Sequence, residues 1–289
     1  TITPRLDTHG AVNLILTDDC HLTVPWGINV KEGDTFTIYA QSTAEASMGK
    51  LTACLPELSD HEKSVWPVAG LSGIGAGVRV WAANDNYYEN EGTIIINGGN
   101  IHAKGQQGSS AIGGSDYDRN VSSDGDTPGN LRQGGSITIN GGTVKASSEG
   151  DGFGIGGAGV HHTAEMHITI NGGNIETTAN RNNAAIGDKS KHKSSVTING
   201  GVIHAVGKGS AAGIGSTGDI RITGGEITVS AEGGGAAIGS IGGVDCKSIT
   251  INGNAIKSIS SKDGACIGGA AGGSVGSITI SDAKLPLLS

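Results

Sequence analysis

The feature that most limits what this chain can fold into is that it repeats itself. The phrase Ile94-Ile95-Ile96-Asn97-Gly98-Gly99 returns as Ile137-Thr138-Ile139-Asn140-Gly141-Gly142, Ile168-Thr169-Ile170-Asn171-Gly172-Gly173 and Val196-Thr197-Ile198-Asn199-Gly200-Gly201. It comes again as Ile220-Arg221-Ile222-Thr223-Gly224-Gly225 and Ile249-Thr250-Ile251-Asn252-Gly253, with Ile278-Thr279-Ile280-Ser281 as a degenerate last copy. A second phrase keeps step with it: Gly73-Ile74-Gly75, Ala111-Ile112-Gly113, Gly154-Ile155-Gly156, Ala185-Ile186-Gly187, Gly213-Ile214-Gly215, Ala237-Ile238-Gly239 and Cys266-Ile267-Gly268. The first phrase recurs at intervals of 43, 31, 28, 24, 29 and 29 residues. Two phrases locked together at an uneven period describe one structural unit whose loops differ in length.

Ile-Thr-Ile alternates with period two, which sends both Ile side chains to one face of a strand and Thr to the other. The stretches Val144-Lys145-Ala146, Ile175-Glu176-Thr177, Ile203-His204-Ala205 and Ile227-Thr228-Val229 alternate in the same way. Asn-Gly-Gly between them suits a sharp corner, because Gly and Asn tolerate positive φ. No useful helical period appears. Three short strands per unit make one coil of a parallel β-helix. The expected fold is therefore all-β: a single-domain right-handed parallel β-helix with three short strands per coil and an N-terminal cap. The hand follows from the general preference for right-handed parallel crossovers.

Coils stacked about 4.8 Å apart place equivalent residues over one another, Ile on Ile in the lumen and Asn on Asn at the corner. The corner residues Asn97, Asn140, Asn171, Asn199 and Asn252 are expected to form an amide ladder of the kind that stabilises stacked strands. Seven coils would give a rod of about 35 Å. Residues 1–65 carry less Gly and more Leu and Val, and read as an N-terminal cap and first coil, with strands at Leu14-Ile15-Leu16, Leu22-Thr23-Val24 and Phe36-Thr37-Ile38-Tyr39. Residues 66–281 read as the coils with their inserted loops, and 282–289 as a C-terminal cap or tail.

Composition agrees with so thin a tube. Of 289 residues 52 are Gly and only 3% are aromatic, which leaves too few rings for a conventional core. The hydrophobic share of 36%, rich in Ile and Val, argues against disorder. No apolar run approaches the roughly 18 residues of a membrane span. A net charge of −8 argues against a nucleic-acid or anionic-membrane partner. Four cysteines are too few for a disulfide framework. Cys20 and Cys54 are either a pair across the N-terminal region or free thiols. Cys246 and Cys266 are expected to be free and buried.

With Phe36-Thr37-Ile38-Tyr39-Ala40-Gln41-Ser42 leading into the Ile-Thr-Ile-Asn-Gly-Gly and Ala-Ile-Gly phrases, the chain resembles secreted or surface-attached parallel β-helix proteins of gut Gram-positive bacteria. Those proteins are usually described as carbohydrate-binding. The resemblance covers roughly residues 36–281. It implies a secreted or cell-surface location and a polysaccharide or glycan partner. It carries over no catalytic residue, because the shared motifs are the scaffold.

On a repeat scaffold, function is sought where residues are inserted. All the long insertions follow the Ile-Gly phrase, so stacking is expected to gather them on one flank: 76–92, 114–134 and 158–167, with Asp188, Lys189 and His192 in a fourth. Trp81, Tyr87, Tyr88 and Tyr117 supply rings for sugar faces, and Arg119, His161 and His162 supply polar partners. A glycan-binding module is the favoured function. The alternative is a glycoside hydrolase or polysaccharide lyase at the same flank, with Glu89 or Glu91 paired to Asp116 or Asp118 as its carboxyls. No cofactor is expected, with Ca²⁺ on Asp116, Asp118, Asp124 and Asp126 as the alternative. The spacing of His161, His162 and His167 is not that of a zinc protease, and the Gly-rich phrases lack the Lys-Ser/Thr of a phosphate loop. The outward column Thr138, Thr169, Thr197, Thr250 and Thr279 is one residue wide and interrupted by Ile95 and Arg221, too narrow for an ice-binding face.

Overall fold

A computed structural model describes residues 5–54, 71–76, 91–106, 108–114, 135–157, 165–190, 194–252 and 255–281 in full, and the backbone alone of 78–81 and 85–88. No helix occurs among the described residues. Three parallel sheets form the faces of a prism. Sheet A holds nine short strands, most of them an Ile-Gly pair such as Ile112–Gly113; sheet B holds nine, such as Ser136–Ile139; sheet C holds eight, such as Thr143–Ser148. The chain visits A, B and C in turn, so each coil contributes one strand to each sheet. This is the parallel β-helix that the repeats call for.

Nine strands in sheets A and B exceed the seven copies of the Ile-Gly phrase. The two extra strands in sheet A, Leu6–Asp7 and Ile28–Asn29, come from the segment that precedes the repeats. The strands expected at residues 14–16 and 36–39 lie within Ala11–Leu16 and Thr35–Ala40, and the one expected at 22–24 is His21–Thr23, which starts one residue earlier and stops before Val24. They are the first members of sheets B and C. Side chains tie these coils together: Asp34 accepts hydrogen bonds from the Thr8 hydroxyl at 3.0 Å and the Gly10 amide at 2.6 Å, and Asn29 donates to Asp7 at 2.9 Å.

Registry follows from the alternation. Thr138 pairs with Thr169 and then Thr197, while Ile137 and Ile139 stand over Ile168 and Ile170. The inward residues of all three sheets make one continuous buried core, with Ile112, Ile155 and Ile186 from A, Ile96, Ile139 and Ile170 from B, and Ile101, Val144 and Ile175 from C. Burial of each such side chain contributes roughly 1.5–3 kcal/mol. Thr177 replaces Ala in the second inward column of sheet C, and its hydroxyl is satisfied by the Ala185 carbonyl at 2.9 Å.

The amide ladder is present. Asn140 donates to Asn97 at 2.7 Å, Asn171 to Asn140 at 2.7 Å and Asn199 to Asn171 at 2.8 Å; Thr223 then donates to Asn199 at 2.9 Å. Thr223 therefore ends the run of amide-to-amide bonds before Asn252. The glycine of the Ile-Gly phrase has a separate cause. A Cβ placed on Gly113 would stand 1.8 Å from the carbonyl oxygen of Gly156 in the next coil, and Gly113 also has φ +122°. The same collision repeats down sheet A, at 1.9 Å from Gly156 to Gly187 and 1.8 Å from Gly187 to Gly215.

All four cysteines are free thiols: Cys246 is buried, while Cys20 and Cys266 pack partly against the core. The tube ends unevenly. Ile249 is 1% exposed, yet its partner one coil later, Ile278 in the last strand of sheet B, is 45% exposed.

Candidate functional site

Sheet B meets sheet C through residues 17–20 and 41–49 in the first two coils and then through a corner of constant length: Asn97–Gly99, Asn140–Gly142, Asn171–Gly173, Asn199–Gly201 and Thr223–Gly225 each take three residues. Sheet A meets sheet B through a corner that varies widely. Residues 76–92, 114–135, 157–166 and 189–194 join successive A and B strands there, whereas Thr217–Gly218 suffices one coil later. Consecutive parallel strands flank these connections, so they leave and rejoin the tube in adjacent coils along one edge.

The first connection contains an antiparallel ribbon, Val78–Trp81 with Asp85–Tyr88, in which Arg79 pairs with Tyr87 and Trp81 with Asp85. Three ring-bearing residues, Trp81, Tyr87 and Tyr88, and two charged ones, Arg79 and Asp85, thus come from one four-rung hairpin. Where the hairpin rejoins the tube, Glu91 forms an antiparallel bridge with Lys31. Glu91 is only 4% exposed and packs against Gly135, where an added Cβ would approach its own Cβ to 2.7 Å. Of the four carboxyls named as catalytic candidates, it alone is described, and it sits in the wall of the tube. Trp81, Tyr87 and Tyr88 have a described backbone. Glu89, Asp116, Tyr117, Asp118, Arg119, Asp124, Asp126, His161 and His162 lie outside the described residues, as does His192.

The same edge holds Asp188, which the sequence assigns to the fourth insertion and the structure places at the end of the sheet A strand Ala184–Asp188. Asp188 is fully buried and accepts hydrogen bonds from the Ser190 amide at 3.1 Å and from the Ser194 hydroxyl. The hydroxyls of Ser190 and Ser194 are 2.9 Å apart, and Ser194 also receives the Met166 amide at 3.0 Å. Burial pushes the Asp188 carboxyl up to about 6, against the opposing pull of its hydrogen bonds to Ser190 and Ser194. It fits because the coil before it has Gly157, whose Cβ would strike the carboxyl oxygen at 2.0 Å. The signal was available: Ala76, Gly114 and Gly157 hold this place in the preceding coils and Ser216 in the next, so an acid there breaks a column of small residues. Nearby, His167 lies 3.6 Å from Glu165 and 2.8 Å from the Ser195 hydroxyl.

The outward surface of sheet B is broader than the Thr column alone suggests. Thr93, Ser136, His167, Ser195, Asp219, Ser248 and Ser277 form a second rank beside it, and the Asn ladder a third. The reading of a face one residue wide is corrected on this point. The second rank precedes the repeated phrase and varies in residue type, which hides it in the sequence.

A family model described as Beta helix repeat matches residues 94–116, 137–159, 168–188 and 196–219. Each match begins within a sheet B strand and runs through the following C and A strands, one coil at a time. The chain is a parallel β-helix repeat protein. No curated protein and no solved structure matches it. No helix among the described residues is long and apolar enough to cross a membrane.

Proposed function

We propose that this β-helix is an exported glycan-binding module whose ligand lies along the edge between sheets A and B. One observation carries the reading: the connections 76–92, 114–135, 157–166 and 189–194 leave the tube at that edge in successive coils, and the first contains a hairpin bearing Trp81, Tyr87 and Tyr88. A rigid stack that carries loops side by side in successive coils is how loop-borne binding residues are positioned by a scaffold. Rings beside Asp85, Asn86 and Arg79 suit sugars, whose apolar faces stack on aromatics while their hydroxyls take polar partners.

A glycan array with Trp81→Ala and Tyr87→Ala tests it. The reading expects retained folding and at least about tenfold weaker binding to whichever glycans the wild type captures. Unchanged glycan signals in both variants would remove the flank from consideration. Release of reducing or unsaturated sugar from a bound polysaccharide, abolished by Glu89→Gln or Asp116→Asn, would make the flank a catalytic one instead.

A further inference from the structure

The outward side of sheet C, in its first coils, gathers lysines from three neighbouring strands. The strands Lys50–Cys54, Asn100–Gly105 and Thr143–Ser148 lie side by side in register. Outward residues therefore fall in ranks: Lys50, Asn100 and Thr143 in one, Thr52, His102 and Lys145 in the next, Cys54, Lys104 and Ser147 in the third. Lys145 is the direct neighbour of His102 across the pair of strands, Lys104 is two residues along from it, and Lys50 is one rank over. His102 thus has three lysines at neighbouring outward positions of the sheet. Its pKa is held below the ordinary value by burial first and then by Lys145, Lys50 and Lys104, with Glu176 opposing.

Like charges on neighbouring strands repel, so the cluster costs stability when nothing occupies it. Part of the charge is answered from within. Lys145 holds both oxygens of Glu176, at 3.0 and 3.2 Å, and Lys104 meets Glu149 at 2.5 Å. Lys50 has no carboxylate partner among the described residues. These pairs show how the ammonium groups take a carboxylate, while Thr52, Asn100 and Thr143 set hydroxyl and amide groups between them.

We propose that this face binds a carboxylated polysaccharide, with acid groups seated among Lys50, Lys104 and Lys145 and sugar hydroxyls on Thr52, Asn100 and Thr143. The charge of the whole molecule selects the ligand. At −8 overall, the chain repels a polymer as densely charged as nucleic acid, which carries one negative charge per about 1.7 Å of duplex. A chain with one carboxylate per sugar presents its charge more sparsely, within reach of a local cationic patch. The proposal takes its ligand class from the glycan-binding reading of the A–B edge but stands on a different face, so either can fail alone.

The test is affinity electrophoresis through gels containing polygalacturonate, neutral dextran or duplex DNA, at low and rising salt. The wild type is expected to be retarded by polygalacturonate alone, and less so as salt rises. The triple variant Lys50→Gln, Lys104→Gln, Lys145→Gln should bind at least about tenfold more weakly with its melting temperature kept, since the altered groups are on the surface. Arginine at the same three positions should restore binding. The proposal is overturned if the wild type ignores polygalacturonate, if the glutamine variant binds it equally well, or if DNA is bound as tightly. Should Trp81→Ala abolish polygalacturonate binding while the glutamine variant retains it, the acidic glycan belongs to the loop-bearing edge: the sheet C proposal falls and the flank reading stands.

Discussion

At the edge between sheets B and C the chain turns in three residues in each of the five coils from Asn97 to Gly225. Over the same coils the turn at the edge between A and B ranges from Thr217–Gly218 to the whole of 114–135. The first edge is built from contacts between coils: the Asn ladder, and glycines such as Gly142 at φ +89°, where an added Cβ would lie 2.6 Å from the Gly99 oxygen. An extra residue there would break register with both neighbours. At the second edge the close contacts lie at the two ends of the connection, at the Ile-Gly pair and at Gly157 and Gly135, and the residues between them can change in number. Over these coils the scaffold holds register at one edge and takes up extra length at the other.

Four experiments would break or sharpen this contrast. The largest effect is expected from Gly113→Ala, at the mouth of the longest connection. With its Cβ directed into the Gly156 carbonyl and its φ positive, it should lose at least about 4 kcal/mol or fail to fold, as seen by soluble yield and thermal melting. A variant melting like the wild type would show that the coils are not held as closely as described.

Asp188 comes next. Its folded pKa of about 6 lies above the ordinary value of 3.8, so the folded state binds the extra proton between those limits. Its favourable contribution is fully present below about pH 4 and disappears as pH rises through 6, a change on the order of 3 kcal/mol. Unfolding curves from pH 4 to 7 should show that loss in the wild type, and Asp188→Asn should flatten it.

A smaller cost, about 1–2 kcal/mol, is expected for Asn171→Ala, which removes two rungs of the ladder at once. The neighbouring Thr169→Ala should stay within about 0.5 kcal/mol in the same chemical denaturation. The effect smallest for the size of the change should come from replacing residues 115–134 with a single Thr, which imitates Ser216-Thr217-Gly218. Stability should shift by no more than about 1 kcal/mol despite the loss of so long a connection. A collapse in melting temperature would show that this edge, too, is structural.

How much of this was legible in the sequence obeys the same division. Ile-Thr-Ile and Asn-Gly-Gly announce the core columns and the ladder because the contacts they make recur in every coil. Leu6–Asp7 and Ile28–Asn29 were hidden because a two-residue strand without its glycine has no pattern to read. Glu91 looked like a loop acid, and only the pairing with Lys31 reveals it as part of the wall. The charged face of sheet C required knowing that Lys50 and His102, fifty-two residues apart in the chain, occupy adjoining strands.

The ladder also has a direction. Every amide in it donates back toward the preceding coil, so its dipoles add head to tail rather than cancelling. One long edge of the prism is therefore polarised along the axis, built from side chains where an α-helix uses its backbone. A coil duplicated within it would extend the row and inherit its sense, whereas one whose corner residue cannot both give and take a hydrogen bond would divide it into two shorter rows.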